Sequence, residues 1–235
     1  MEKKATTCSF KKVVVDGEHM RGSKPMPNDF SSTQNIGFIS YVNDLLAREG
    51  QLRWKSPRIT MGHGGIPDIH TEYFPDDEKR AKSFKAPIYV ETAEQQEFYN
   101  FLAKCDEYFD SDDFRKKHMK MGAKSDEYDY SPILRLAPHL EDDDAEDDKE
   151  TLSKKKKARD NAAKYGPTPA FMKPHIPINF KTKKVELKVI VKEMVEDDEG
   201  NVTEQKVVHH PETMDEAKSL INFMSENEFL VTFCK

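Results

Sequence analysis

The chain is poor in cysteine, has a single tryptophan, and contains no long apolar run. Its three cysteines, Cys8, Cys105 and Cys234, are odd in number and widely spaced. They supply neither a zinc framework nor a disulfide scaffold, and they point to a reducing compartment. No apolar stretch approaches the roughly 18 residues needed to span a bilayer. The segment Met1–Thr7 lacks the apolar region of a secretory signal. The chain is therefore read as not secreted and as having no membrane partner, and the glycosylation pattern at Asn201-Val202-Thr203 is discounted. The glycine-rich run from Met61 to Pro67 lacks the Gly-Lys-Ser/Thr ending of a phosphate-binding loop and reads as a turn. His63 and His70 lie across that loop, and His209 and His210 are adjacent; neither spacing favours a metal. No nucleophile motif appears. The expectation is a protein that is not an enzyme, with no catalytic or metal-binding residues and no cofactor.

Apolar residues make up 36% of the 235, below the ~45–50% of an average domain. That supports one core with appended arms or loops, not two full domains. Fourteen Phe and eight Tyr allow the core to be aromatic. Charged residues make up 34%, yet the net charge is −6, so any nucleic-acid contact must use a local basic surface. The charges are also segregated. Residues 141–148 are almost wholly acidic and Lys154–Lys157 is a basic run. Neither can bury apolar area, so about 138–164 is expected to be a solvated, disordered loop. An intramolecular switch, acid covering a basic groove until DNA competes, is the sharper alternative.

The remaining signals are local. Residues 1–35 read as an N-terminal arm with a short strand at Phe10–Val15. Strands are expected at Ile36–Val42, Gln51–Thr60, Ser83–Val90 and Tyr130–Leu136. In the second, Leu52 and Trp54 share one face while Arg53 and Lys55 share the other. Thr92-Ala93-Glu94-Gln95 is a capping box, and Phe98, Phe101, Leu102, Cys105 and Phe109 form a helical stripe, so a helix is expected over 93–109. Ser111 opens a short basic helix through Lys120. Val185 to Val191 alternates, an acidic Gly-containing turn follows, and Val202–Val208 returns, giving a hairpin. Thr213-Met214-Asp215-Glu216 caps a further helix, and Glu228–Phe233 is a last strand. That strand either marks a truncated chain or closes the sheet at an edge.

The segment Pro167–Lys181 interleaves Phe171, Met172, His175 and Ile178 with Lys173 and Lys181 on a proline-stiffened backbone. Rings beside ammonium groups suit a nucleic-acid strand. The same composition also suits a plain edge strand, where Pro is tolerated and Lys blunts pairing.

Taken together, the strings Ile36-Gly37-Phe38-Ile39, Leu52-Arg53-Trp54-Lys55-Ser56-Pro57-Arg58-Ile59, Glu97-Phe98-Tyr99-Asn100-Phe101-Leu102, Tyr130-Ser131-Pro132-Ile133-Leu134 and Pro169-Ala170-Phe171-Met172-Lys173 come in a telling order. That order resembles the single-stranded-DNA-binding proteins of nucleocytoplasmic large DNA viruses, which are similar to the OB-fold protein of short-tailed phages. The resemblance covers roughly residues 36–235. It implies an α+β, β-rich fold: an OB-fold-like, partly open barrel with inserted helices and the disordered charged loop. It also implies sequence-nonspecific binding of single-stranded DNA during viral replication, recombination or repair. The expected location is the host cytoplasm or nucleus, or the virion, with viral replication proteins or further copies of the chain as other partners. The phage proteins end in an acidic tail with a terminal aromatic; here the acid block is internal and the chain ends Phe233-Cys234-Lys235.

The expected interface comprises the cations Arg53, Lys55, Arg58, Lys79, Arg80, Lys82, Lys85, Lys173 and Lys181. Trp54, Phe74, Tyr89, Tyr130 and Phe171 are the expected stacking rings, with a core position as the competing reading of Trp54. The rival function is a structural, virion-assembly or protein-interaction module that binds no nucleic acid.

Overall fold

The computed structural model describes residues 8–23, 26–28, 31–43, 48–62, 65–66, 83–119, 129–136, 148–179, 181–196 and 202–232. The fold is mixed α+β with comparable helix and strand content, and its sheets are of two or three strands. This corrects the expected β-rich barrel: among the described residues no sheet closes on itself. The chain divides into two compact units. One is Met1–Ile59, Ile88–Met172 and Glu228–Lys235; the other is Thr60–Pro87 and Lys173–Asn227.

The first unit is built on helix α1, Ala93–Asp110. The Thr92 hydroxyl accepts the Gln95 amide at 3.2 Å, and the Gln95 side chain accepts the Thr92 amide at 3.1 Å. This capping box satisfies donors that the first helical turn leaves open. Phe98, Phe101, Leu102, Cys105 and Phe109 are all buried, as their spacing predicts. Trp54 packs edge-on to Phe98 and Phe101, with centroids 5.4 and 5.5 Å away, and Phe10 meets Phe98 at 5.0 Å.

Phe10 lies in a single 3-10 turn, Phe10–Lys12, where an extended strand was expected. Phe10, Val13, Val15 and Met20 are buried, so the stretch expected as an arm contributes to this core. A three-stranded sheet places Arg53–Lys55 at its centre, parallel to Cys8–Ser9 and antiparallel to Leu230–Thr232. A second sheet orders Met20–Gly22, Ile39–Asn43 and Arg48–Gln51, all antiparallel. The short helix expected after Ser111 is one π-helical turn, Phe114–His118. Gly22 lies so close to it that a Cβ there would meet Met119 Cγ at 2.8 Å.

The expected strand at 130–136 is reduced to one bridge, Arg135 with Phe171. The chain before it is held by a side chain instead. Asp106 on α1 accepts the Tyr130 hydroxyl at 2.6 Å and the Ile133 and Leu134 amides at 2.7 and 2.8 Å.

Helix α2, Lys149–Tyr165, occupies most of the segment expected to be disordered. The Asp148 carboxylate accepts the Thr151 amide at 2.7 Å to cap it, and Gly166 ends it at φ 83°, a conformation glycine adopts without strain. Its Lys, Ala, Arg and Glu are strong helix formers, and that local preference outweighs the lack of an apolar stripe. The acidic residues 141–147 lie outside the described residues.

In the second unit, Met61, Ile66, Phe84, Ile176, Val185, Ala217 and Ile221 are buried. The hairpin pairs Val189–Glu196 with Val202–His209 over eight residues; the return strand lies where it was expected, while the first strand begins and ends later than the expected Val185–Val191. Helix α3, Met214–Leu220, is capped by the Thr213 hydroxyl accepting the Glu216 amide at 3.2 Å. The Glu216 carboxylate accepts the Glu212 amide, one residue earlier than a full capping box would use. The proline-rich segment is pinned by isolated bridges, His175 with Ser83 and Ile178 with Val185.

Candidate nucleic-acid interface

Alternation along 48–55 decides which side chains reach the surface. Leu52 and Trp54 are fully buried, so Gln51, Arg53 and Lys55 turn the other way. The strand Ile39–Asn43 pairs Ser40 with Gln51, and the Leu52 amide donates to the Ile39 carbonyl at 3.2 Å. That pairing ends at Ser40 with Gln51, and Arg53–Lys55 continues into the three-stranded sheet. Phe38 is 45% exposed although it is a large apolar ring. Phe38, Ser40, Glu49, Gly50 and Gln51 line a shallow depression, and Arg53 Nη2 donates to Gln51 Oε1 at 3.4 Å beside it.

The outward face continues into the three-stranded sheet. Thr232 stands opposite Arg53, and Leu230 and Ser9 stand on either side of Lys55. Lys55 Nζ lies 2.5 Å from Glu228 Oε2, with both side chains about half exposed. An exposed pair of this kind contributes about 0–1 kcal/mol, so an incoming anion displaces Glu228 at little cost. The face therefore offers one exposed ring, the half-buried Arg53 and the exposed Lys55 ammonium, together with two carboxylates, Glu49 and Glu228.

The other expected residues are distributed differently. Trp54 is corrected from stacking platform to core: at 0% exposure, wedged against Phe98 and Phe101, it offers no ring face to a base. Arg58 is exposed past the end of the Arg53–Lys55 strand, and Tyr89 is half-buried. Tyr130 gives its hydroxyl to Asp106, and burial together with that bond pushes its phenol far above the ordinary range. It acts as an anchor for the 130–134 segment. Phe171 is half-buried opposite Arg135, with which it exchanges two backbone hydrogen bonds of 2.8 Å. Lys85, Lys173 and Lys181 are exposed in the second unit. Phe74, Lys79, Arg80 and Lys82 lie outside the described residues.

Three features fall outside the expected interface. Phe38 belongs to an expected strand, yet the alternation that buries Ile39 turns it outward. Arg135 is paired to Phe171 by a bridge that no local motif announces. Helix α2 carries seven basic residues against two acidic ones, and Lys149, Lys154, Lys156, Lys157 and Lys164 are exposed.

Among the described residues no group of three or more His, Cys, Asp or Glu side chains is placed to hold a metal ion, and no helix is long and apolar enough to cross a membrane. No family model, curated protein or solved structure matches the chain.

Proposed function

We propose that this protein binds single-stranded DNA without sequence preference, as the viral family it resembles would, and that it does so without catalysis. The observation that carries this reading is the exposed Phe38 ring lining a shallow depression with Gln51, on the stretch that continues into Arg53 and Lys55 while Leu52 and Trp54 anchor it in the core. A base stacks on Phe38 with the Arg53 guanidinium beside it, and Lys55 exchanges Glu228 for a phosphate. Stacking of this type contributes about 1–3 kcal/mol per base and is indifferent to base identity, because every base has a π-face. Helix α2 adds a second, diffuse source of positive charge that neutralises backbone without reading sequence.

The interface is tested by substitution. Phe38→Ala weakens binding of labelled oligo-dT about tenfold at fixed salt. Arg53→Gln with Lys55→Gln lowers the slope of log affinity against log salt by roughly 0.7 for each phosphate that is no longer neutralised. Glu228→Gln acts in the opposite direction and tightens binding, since it removes the competitor for Lys55. Unchanged affinity in all three variants, each folded by circular dichroism, removes this face as the binding surface.

A further inference from the structure

The return strand of the hairpin, Val202–His209, belongs to a two-stranded sheet, so its outer edge meets no other strand among the described residues. A lone ribbon is marginal in water, and an open edge is a template for another strand. The ribbon is also apolar on the surface: Ile190, Met194, Val202 and Val208 are 55%, 68%, 56% and 46% exposed. Ile190 stands opposite Val208, and Met194 opposite Glu204.

Alternate residues share a face, so one side of this strand reads Val202, Glu204, Lys206, Val208. That pattern is complementary to its own reverse. We propose that the Val202–His209 edge pairs with the same edge of a second copy of this chain, antiparallel, about a two-fold axis through Gln205. In this register Glu204 faces Lys206 of the second copy, Lys206 faces its Glu204, and Val202 and Val208 cover one another at both ends. Thr203 and Val207 pair on the opposite face, and the two Gln205 amides meet at the centre. The symmetry makes the choice narrow. Opposite residues in an antiparallel pair share a face, so a two-fold axis normal to the sheet must set one residue against its own copy. Moved one position either way, the axis would set Glu204 against Glu204 or Lys206 against Lys206, which destabilises. The product is a four-stranded sheet in which each return strand has become internal.

Sedimentation velocity on the full chain without DNA, over a concentration series, tests this directly. The expected result is a monomer–dimer equilibrium. Lys206→Glu alone and Glu204→Lys alone each raise the dissociation constant roughly tenfold, because two attractive pairs become repulsive. The double charge swap Glu204→Lys with Lys206→Glu restores it. Thermal melts by circular dichroism confirm that each variant is folded. A monomer at every concentration overturns the proposal. So does a dimer indifferent to the single changes, or a double swap that associates no better than either single variant. Because no DNA is present, the outcome is independent of the DNA-binding reading.

Discussion

Two polar residues on or beside α1 do work that their position in an aromatic stripe conceals. Asp106 accepts three hydrogen bonds from the 130–134 segment and replaces the strand pairing expected there. Asp106→Ala leaves two amides and a hydroxyl without their acceptor, and it is expected to cost about 2–3 kcal/mol in urea unfolding. Tyr130→Phe removes only one bond and costs about 1 kcal/mol. His118 is the second. It is 7% exposed, its Nε2 has no hydrogen-bond partner among the described residues, and that atom and the Tyr108 hydroxyl both lie within 3.4 Å of where a Gly17 Cβ would stand. Burial, then the neighbouring Arg21 and Lys117, lowers the His118 pKa below 6.5, against a smaller opposing pull from Asp113. The unfolded chain therefore binds the proton more readily than the folded one. The associated stability is complete above pH 6.5 and is lost as pH falls through the lower folded value. Unfolding free energies measured from pH 8 to pH 5 should fall on the acid side in the parent, and less so in His118→Asn.

At the scale of elements, legibility in the sequence depends on whether the signal is local. Both capping hydroxyls, Thr92 and Thr213, are readable because a cap and its amide are three residues apart. The hairpin is readable because alternation and turn lie in one stretch, and the burial of Trp54 is implied by its sharing a face with Leu52. Helix α2 runs against the expectation of disorder, although Asp148 and the Lys, Ala and Arg that follow state it plainly. The acid and base blocks suggest solvation, and a solvated segment can still be a helix when propensity and a cap suffice. The prediction at this scale concerns the cap. Asp148→Ala should reduce helical ellipticity at neutral pH and cost the helix about 1 kcal/mol. The Thr151 amide holds the Asp148 carboxyl below its ordinary value, so the parent keeps this capping into mild acid.

At the scale of the molecule, the expected barrel is replaced by small sheets in two units, the first of which is built on an aromatic helix. Closure of a barrel depends on pairings between distant strands, and no pattern of alternation within a strand encodes them. The candidate site divides the same way. Arg53 and Lys55 are legible as outward residues of one strand. Phe38 comes to line a depression with Gln51 only through the pairing of a second strand, and Arg135 joins Phe171 through a bridge between residues far apart in sequence. With a net charge of −6, the proposed attraction to DNA rests on these local groups and on α2, not on the field of the whole chain. The most direct measurement is fluorescence anisotropy of labelled oligo-dT and a matching duplex over a salt series. Binding that prefers the single strand and weakens linearly with log salt is the predicted result; equal affinity for both forms, or no binding at low salt, contradicts it.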